Sequence, residues 1–174
     1  MTDISDWIAD RLTADRDLEP VALGRLAIAI GGEEQLWRPL VRHDPDERYY
    51  YQLYRDPNVD IWLICWTCRQ DTGYHDHDRS SGGVYVCEGS LHEDYFERNA
   101  DGWISEQTNV HYAGGHFVFD ASYIHGVRNP ELEPATSIHV YSPALWRMGH
   151  YQPDERGVLR RVSVTYADEL LGAA

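Results

Sequence analysis

Two histidines stand one residue apart, at His75 and His77, in the segment TGYHDHDRSSGG of residues 72–83. In an extended segment both imidazoles lie on one face, because side chains alternate across a β-strand. Two neutral imidazoles side by side can bind a metal ion. Asp76 and Asp78 then point to the opposite face, where we expect them to be solvated or to support the ligands from behind. The pair therefore predicts part of a metal site.

A second histidine motif follows in the segment FDASYIHGVRN, which ends in a His-x-x-x-Asn pattern at His125 and Asn129. The two motifs resemble those of the cupins, small β-barrels that hold a metal inside. The first cupin motif runs from His-x-His to a glycine, and the second runs from a glycine to His-x-x-x-Asn. Gly89 and Gly114 occupy the two glycine positions here. This resemblance implies that three histidines bind the metal: His75, His77 and His125.

The chain departs from the usual cupin pattern at one ligand. Most cupins place a metal-binding glutamate before the glycine of the first motif, and this chain has Gly82 at that position. Three neutral imidazoles leave the charge of a divalent ion uncompensated, so we expect the site to favour an anionic ligand from the substrate. Five other histidines are expected to be surface residues or hydrogen-bonded core residues: His43, His92, His111, His116 and His150.

The segment HGVRNPELEPATSIHVYSPALWRMGHY, which begins at His125, resembles the cysteine dioxygenase family of thiol dioxygenases. The likeness extends from about Tyr50 to Tyr141 and includes ICWT and TGYHDHDRSSGG. It implies a mononuclear Fe(II) site that adds both atoms of O₂ to a small thiol, giving a sulfinic acid. It also implies a hydrogen-bonded relay of Ser137, His139 and Tyr141. Some members carry a cysteine at the position of Gly82 that crosslinks to the tyrosine, so we expect Tyr141 to be a free phenol here.

The family also predicts where a substrate carboxylate binds. In the cysteine-oxidising branch a Tyr-x-Arg on an early strand presents the arginine, and Tyr50 and Gln52 align with these two residues. Glutamine at this position resembles the 3-mercaptopropionate dioxygenase subgroup. Arg48 shares the strand face of Tyr50 and Gln52, and Arg55 or Arg128 could reach in from loops. The predicted substrate-binding residues are Gln52, Tyr50 and Arg48, and the thiol is cysteine, 3-mercaptopropionate or a thioimidazole such as ergothioneine.

The rest of the sequence predicts the elements that position these residues. Its 174 residues suit one domain, with a helical entry over 1–44 and a β-barrel over 45–174. Beyond Asp44-Pro45, short runs rich in Tyr, Val, Ile and Trp alternate with turn residues and have no crossover helices between them. This pattern predicts a mainly β, antiparallel barrel or sandwich. We expect Cys65 and Cys87 to pack in its core, whereas Cys68 has no assigned role.

The amino-acid composition limits the classes of molecule that the protein could bind. The formal net charge of −14 disfavours nucleic acid and anionic membranes. The absence of an apolar span or export signal predicts a cytoplasmic protein, and three cysteines argue against a disulfide framework. We expect a monomer whose partners are a small thiol and O₂. The alternatives are another cupin metal enzyme and a non-enzymatic cupin that binds a metal or small molecule.

Overall fold

The computed structural model describes residues 3–12, 15–98, 104–155 and 158–173. Within these ranges, helices come first: α1 (Ile4–Ala9), α2 (Pro20–Gly31), α3 (Glu34–Trp37) and a 3₁₀ turn (Arg38–Leu40). The strands follow as β1 (Tyr49–Arg55), β2 (Asp60–Trp66), β3 (Tyr74–Asp76), β4 (Ser81–Glu88), β5 (Ser90–Arg98), β6 (Ile104–Tyr112), β7 (His116–Phe119), β8 (His125–Arg128), β9 (Ala135–Ser142), β10 (Arg147–Pro153) and β11 (Leu159–Tyr166). A 3₁₀ helix (Ala167–Ala173) comes last.

The strands form two antiparallel sheets. One has the order β1-β2-β9-β4-β7, and the other has the order β11-β10-β3-β8-β5-β6. The prediction of a mainly β, antiparallel fold with a helical entry is confirmed. The helices end at Leu40 and the first strand begins at Tyr49, on either side of the expected boundary.

Strand β2 is buried along its whole length because both of its faces are covered. Ile61, Leu63 and Cys65 pack with the helices, whereas the alternate residues Trp62 and Trp66 pack inside the barrel. The inner cluster also contains Leu91 and Val127, which lie on the opposite sheet. A continuous apolar strand is what two-sided burial requires. Cys65 is thus a core residue, as the sequence predicts.

Helix α2 begins with Pro20, whose fixed φ suits the first helical position. Its buried residues Leu23, Ala27 and Ile30 recur every three or four positions and so form one face. This face packs directly on β4: a Cβ added at Gly83 would lie 2.6 Å from the backbone nitrogen of Gly24. Glycine therefore allows helix and sheet backbones to meet outside the barrel, which leaves the interior to the histidines.

None of the helices in the described ranges is long and apolar enough to cross a bilayer.

Candidate metal centre

The three predicted metal ligands meet inside the barrel. His75 on β3 lies directly opposite His125 on β8 in the antiparallel ladder, and His77 follows β3. One ring nitrogen from each residue lies within 4.8 Å of the others. The side chains are almost fully buried, with exposed fractions of 5% for His75, 1% for His77 and 2% for His125. The cluster could therefore hold one metal ion.

The donor nitrogens are suited to binding a cation. Burial, followed by the charge of neighbouring histidines, holds the pKa of both His75 and His77 well below the usual value. These rings are therefore neutral at pH 7. Nδ1 of His75 lies 3.1 Å from the carbonyl oxygen of Gly73 and donates to it, which leaves Nε2 with a free lone pair. Nδ1 of His77 is buried with no hydrogen-bond partner in the described residues. A buried nitrogen of this kind needs a partner, and a bound metal ion could supply one.

Phe119 occupies the position from which a carboxylate could reach the site. A Cβ added at Gly82 would lie 2.1 Å from Cζ of Phe119, so no larger residue fits at position 82 without displacing the ring. The Phe119 ring stacks on His77 at a centroid distance of 4.6 Å. Tyr141 stacks on His77 as well, at 5.2 Å. His77 is thus held by two aromatic rings, and the missing glutamate is replaced by packing.

A buried carboxylate behind His125 was not identified from the sequence. Oε1 of Glu93 lies 3.0 Å from Nδ1 of His125, and Oε2 lies 2.9 Å from Nε2 of His111. Burial alone would raise the pKa of Glu93, but the hydrogen bonds from His111 and His125 lower it to about 2. Alternation along LHEDYF places Glu93 on the same face as the core residue Leu91. That inward position is the one signal in the sequence that could have revealed it.

The two aspartates beside the ligands face away from the metal cluster. Asp76 accepts hydrogen bonds from the hydroxyl of Tyr151 and the backbone N–H of Gly149, at 2.5 and 3.1 Å. Asp78 pairs with Arg147 at 3.1 Å. Asp76 is buried rather than solvated, so it ties β3 to β10 and holds the strand that carries His75.

Ser137, His139 and Tyr141 lie on one face of β9 and form a hydrogen-bonded chain. Oγ of Ser137 is 2.8 Å from Nε2 of His139, and Nδ1 of His139 is 3.2 Å from the Tyr141 hydroxyl. The indole N–H of Trp66 donates to Oγ of Ser137 at 2.9 Å. Burial lowers the pKa of His139 to about 3 and raises that of Tyr141. Both residues are therefore neutral across the physiological range.

A small cavity of about 130 Å³ adjoins the histidines. Its walls are largely aromatic and aliphatic, from both sheets and the last 3₁₀ helix: Tyr50, Trp62, Ile64, Trp66, Val127, Leu145, Met148 and Leu170. Its polar groups are Arg48, Thr72, His75, His125, His139, Tyr141, His150 and Thr165. No acidic side chain of the described residues lines it. His150, which was expected to be an ordinary histidine, thus lies at the site, opposite His75 in the β10–β3 ladder.

Arg48 is the one cationic side chain among the described residues that line this cavity. Its guanidinium carbon lies 5.3 Å from the ring centroid of Trp66 and 5.6 Å from that of Tyr50. Its NH1 nitrogen is buried and has no hydrogen-bond partner within the described part of the chain. Guanidinium N–H groups are strong donors, so this nitrogen can donate to an acceptor in the cavity, and a carboxylate suits it well.

Gln52 does not line the cavity, although it was predicted to bind substrate with Tyr50 and Arg48. Its Nε2 donates to Oδ1 of Asp60 at 2.9 Å. Asp60 is fully buried on β2 and also pairs with Arg55 at 2.9 Å. Gln52 pairs with Trp62 in the β1–β2 ladder, whose register shifts just beyond it, between Gln52 and Tyr54. The Gln52 amide therefore forms a hydrogen bond within the protein.

The two other candidate anchors are also engaged. Arg55 holds Asp60 and the carbonyl oxygen of Leu145, and Arg128 pairs with Asp94 at 2.6 Å. Neither arginine is among the residues that line the cavity.

Solved structures with a similar fold include proteins described as cupins. A protein of Thermus thermophilus is 21% identical, with a TM-score of 0.50 over 62% of this chain and 93% of that one. A cupin superfamily protein from Desulfitobacterium hafniense is 10% identical, with a TM-score of 0.50 over 60% of this chain and 84% of its own. A cupin 2 conserved barrel domain protein from Leptotrichia buccalis is 17% identical, with a TM-score of 0.50 over 62% of this chain and 46% of that one. At these identities the likeness concerns the fold, and the predicted cupin fold is confirmed.

The family comparison covers most of the sequence, including the histidine cluster, the β9 chain and most of the residues that line the cavity. A family model described as cysteine dioxygenase type I matches residues 13–154. The chain therefore belongs to the cysteine dioxygenase type I family.

Proposed function

We propose that the protein is an Fe(II)-dependent thiol dioxygenase whose substrate is a small thiol with a carboxylate and no ammonium group. The net reaction is R–SH + O₂ → R–SO₂H, in which sulfur loses four electrons and O₂ gains them. No further reductant is needed. The observation that carries the proposal is the unpartnered guanidinium nitrogen of Arg48 in the cavity that adjoins His75 and His125.

Three residues would hold the iron: His75, His77 and His125. Bound there, Fe(II) supplies the redox chemistry and lowers the pKa of a thiol from its usual value of about 8.5. Imidazole ligands contribute no negative charge, so an anionic thiolate would add favourable charge compensation. Family membership and the geometry of the buried cluster support this metal site.

Arg48 would bind the carboxylate of the substrate. A guanidinium presents N–H groups in a planar fork that matches a carboxylate. The Trp66 and Tyr50 rings beside it exclude water and limit its motion. An electrostatic contact in such an environment is stronger than in water.

The absence of acidic side chains from the described lining discriminates among thiols. The ammonium group of cysteine or cysteamine would lose water without gaining a carboxylate partner, which is costly. A thiol carboxylate such as 3-mercaptopropionate carries only the groups that the cavity can match. We therefore place the chain with the 3-mercaptopropionate-oxidising members, on the basis of Arg48 rather than Gln52.

The β9 chain would present a proton to the substrate. Trp66 can only donate, so Ser137 accepts from it and directs its own proton to Nε2 of His139. A neutral His139 then carries its proton on Nδ1 and donates to the Tyr141 oxygen. The Tyr141 hydroxyl proton is left to point toward the cavity that Tyr141 lines. Because burial raises the pKa of Tyr141, the phenol stays protonated and acts as a hydrogen-bond donor.

Oxygen uptake with a panel of thiols tests the function. The protein is loaded with Fe(II) without oxygen, then mixed with O₂ and 3-mercaptopropionate, cysteine, cysteamine, mercaptosuccinate or ergothioneine. We expect the highest kcat/KM with 3-mercaptopropionate, one O₂ consumed per thiol, and a sulfinate product detected by mass spectrometry. A higher kcat/KM with cysteamine than with 3-mercaptopropionate and mercaptosuccinate would contradict the role of Arg48. A metal-loaded protein that consumes no O₂ with any thiol would indicate another cupin enzyme or a binding protein.

A further inference from the structure

We infer that Glu93 is a positioning residue of the metal centre: it orients His125 and supplies, from outside the ligand set, the negative charge that position 82 lacks. This inference rests on the proposed metal site. Glu93 is 2% exposed, and its two carboxylate oxygens lie 3.0 Å from Nδ1 of His125 and 2.9 Å from Nε2 of His111.

The first part of the argument is the orientation of His125. An ionised carboxylate can only accept hydrogen bonds, so Nδ1 of His125 must carry the proton and donate it to Glu93. Nε2 of His125 then keeps a free lone pair, as a metal ligand requires. A carboxylate that holds the distal nitrogen of a ligand histidine fixes the ring and makes it a stronger donor.

The second part is the rigidity of Glu93 itself. Its other oxygen accepts from His111, whose ring stacks on Phe117 at a centroid distance of 4.3 Å. Strand β5 places Glu93 between its neighbours β8 and β6, opposite Val127 and Asn109. The carboxylate is therefore fixed by the sheet on both sides and by two hydrogen bonds.

The third part is charge. A buried carboxylate is costly unless it is hydrogen-bonded and its charge is compensated. No arginine of the described residues pairs with Glu93, whose partners there are the imidazoles of His111 and His125 and the hydroxyl of Tyr123. A divalent ion on the far side of His125 would supply positive charge. Phe119 blocks position 82, whereas Glu93 places an anionic group in direct contact with a ligand histidine.

Metal affinity tests the inference independently of turnover. Apoprotein is titrated with Co(II) by calorimetry, and the Kd is compared for wild type, Glu93→Gln and Asp94→Asn. Asp94 lies on the same strand but pairs with Arg128 outside the cluster, which makes it the matched control. The Gln amide can still accept from His125 and donate to His111, so it removes mainly the charge. We expect Glu93→Gln to weaken binding about 10- to 100-fold, and Asp94→Asn to leave it unchanged.

A second variant and a second readout separate charge from folding. Glu93→Asp keeps the charge on a shorter side chain, so we expect a smaller loss of affinity than with Gln. The Fe(III)/Fe(II) potential should rise in Glu93→Gln, because loss of a nearby negative charge disfavours the ferric ion, and a purely structural role would not move it. If Glu93→Gln does not fold, a folded Glu93→Asp protein should still bind Co(II) more weakly than Asp94→Asn, because the shorter carboxylate no longer reaches His125, and equal affinity of the two would overturn the orienting role of Glu93.

The possible failures are distinct. Wild type that binds no Co(II) refutes the metal site and with it the proposed function. Wild type that binds Co(II) with an affinity and potential equal to those of Glu93→Gln refutes the role of Glu93 alone.

Discussion

Replacing Arg48 by Met gives the sharpest test of substrate choice. Methionine keeps an unbranched stem that can pack against the Trp66 and Tyr50 rings, so the cavity wall is preserved while every donor is removed. Arg48 takes part in none of the ion pairs found in the described residues, and its NH1 nitrogen has no hydrogen-bond partner there, so the internal contact that the change removes is the one with the Tyr50 hydroxyl. The change therefore breaks no internal ion pair, and its main effect should fall on the contact with the ligand.

The magnitude follows from the type of interaction. A hydrogen bond to a charged group contributes about 1.5–3 kcal/mol, which corresponds to roughly 10- to 150-fold in kcat/KM. We expect a loss in this range for 3-mercaptopropionate. Cysteamine carries no carboxylate and is repelled by the guanidinium, so its kcat/KM should be unchanged or higher. The ratio of the two substrates then changes by at least the loss seen with the acid.

The assay is initial-rate O₂ consumption with both thiols, with iron content measured on each preparation. Arg128→Met is the control, because Arg128 pairs with Asp94 and does not line the cavity. A Met variant at position 48 whose substrate ratio equals that of wild type and of the control would refute the assignment of Arg48.

Four further outcomes are expected. His125→Ala should lose both iron and activity, since two imidazoles cannot fix a three-nitrogen site, and full iron content by plasma mass spectrometry would contradict the ligand assignment. Tyr141→Phe should keep its iron while turnover falls by about 10- to 1,000-fold, and unchanged turnover would leave Tyr141 a packing residue. Gln52→Met should leave the substrate ratio unchanged but lower the free energy of unfolding by about 1–3 kcal/mol, because Asp60 loses a buried donor, a loss read from urea denaturation. The metal-free protein should lose stability as the pH falls below about 6.5. Below that pH a histidine binds a proton in the unfolded chain, whereas His139 in the folded protein, with a pKa of about 3, stays neutral. Equal urea midpoints at pH 7.5 and pH 5 would contradict this expectation.

The fold class and the cluster of three histidines could be predicted from local spacing together with the resemblance to the cupin motifs. His75 and His77 share a face for the same reason that Ser137, His139 and Tyr141 do: side chains two apart on a strand point the same way. Gly89, Gly114 and the His-x-x-x-Asn motif indicate the order in which the strands that carry the histidines follow one another. These features are properties of one strand at a time, so the linear sequence carries them.

The substrate side of the site depends on contacts between strands. Arg48, Tyr50 and Gln52 have the same parity, yet the amide of Gln52 donates to the buried Asp60 of the neighbouring strand. Strand parity alone does not predict such a contact between strands. The sequence could therefore propose three residues for the pocket, and only the packing of β1 on β2 separates them.

The sequence by itself predicted the three clustered imidazoles, the polar side chains that share one face of β9 and the glycine at position 82. Only the tertiary structure decided what replaces that ligand, because the answer involves three separate segments. Phe119 of β7 fills the space beside Gly82, and Glu93 of β5 stands behind His125 of β8. Its alternation with Leu91 indicates only that Glu93 faces inward, and does not show which residues it contacts. Its role arises from the order of strands β8, β5 and β6 in the sheet, which brings one carboxylate between two histidines.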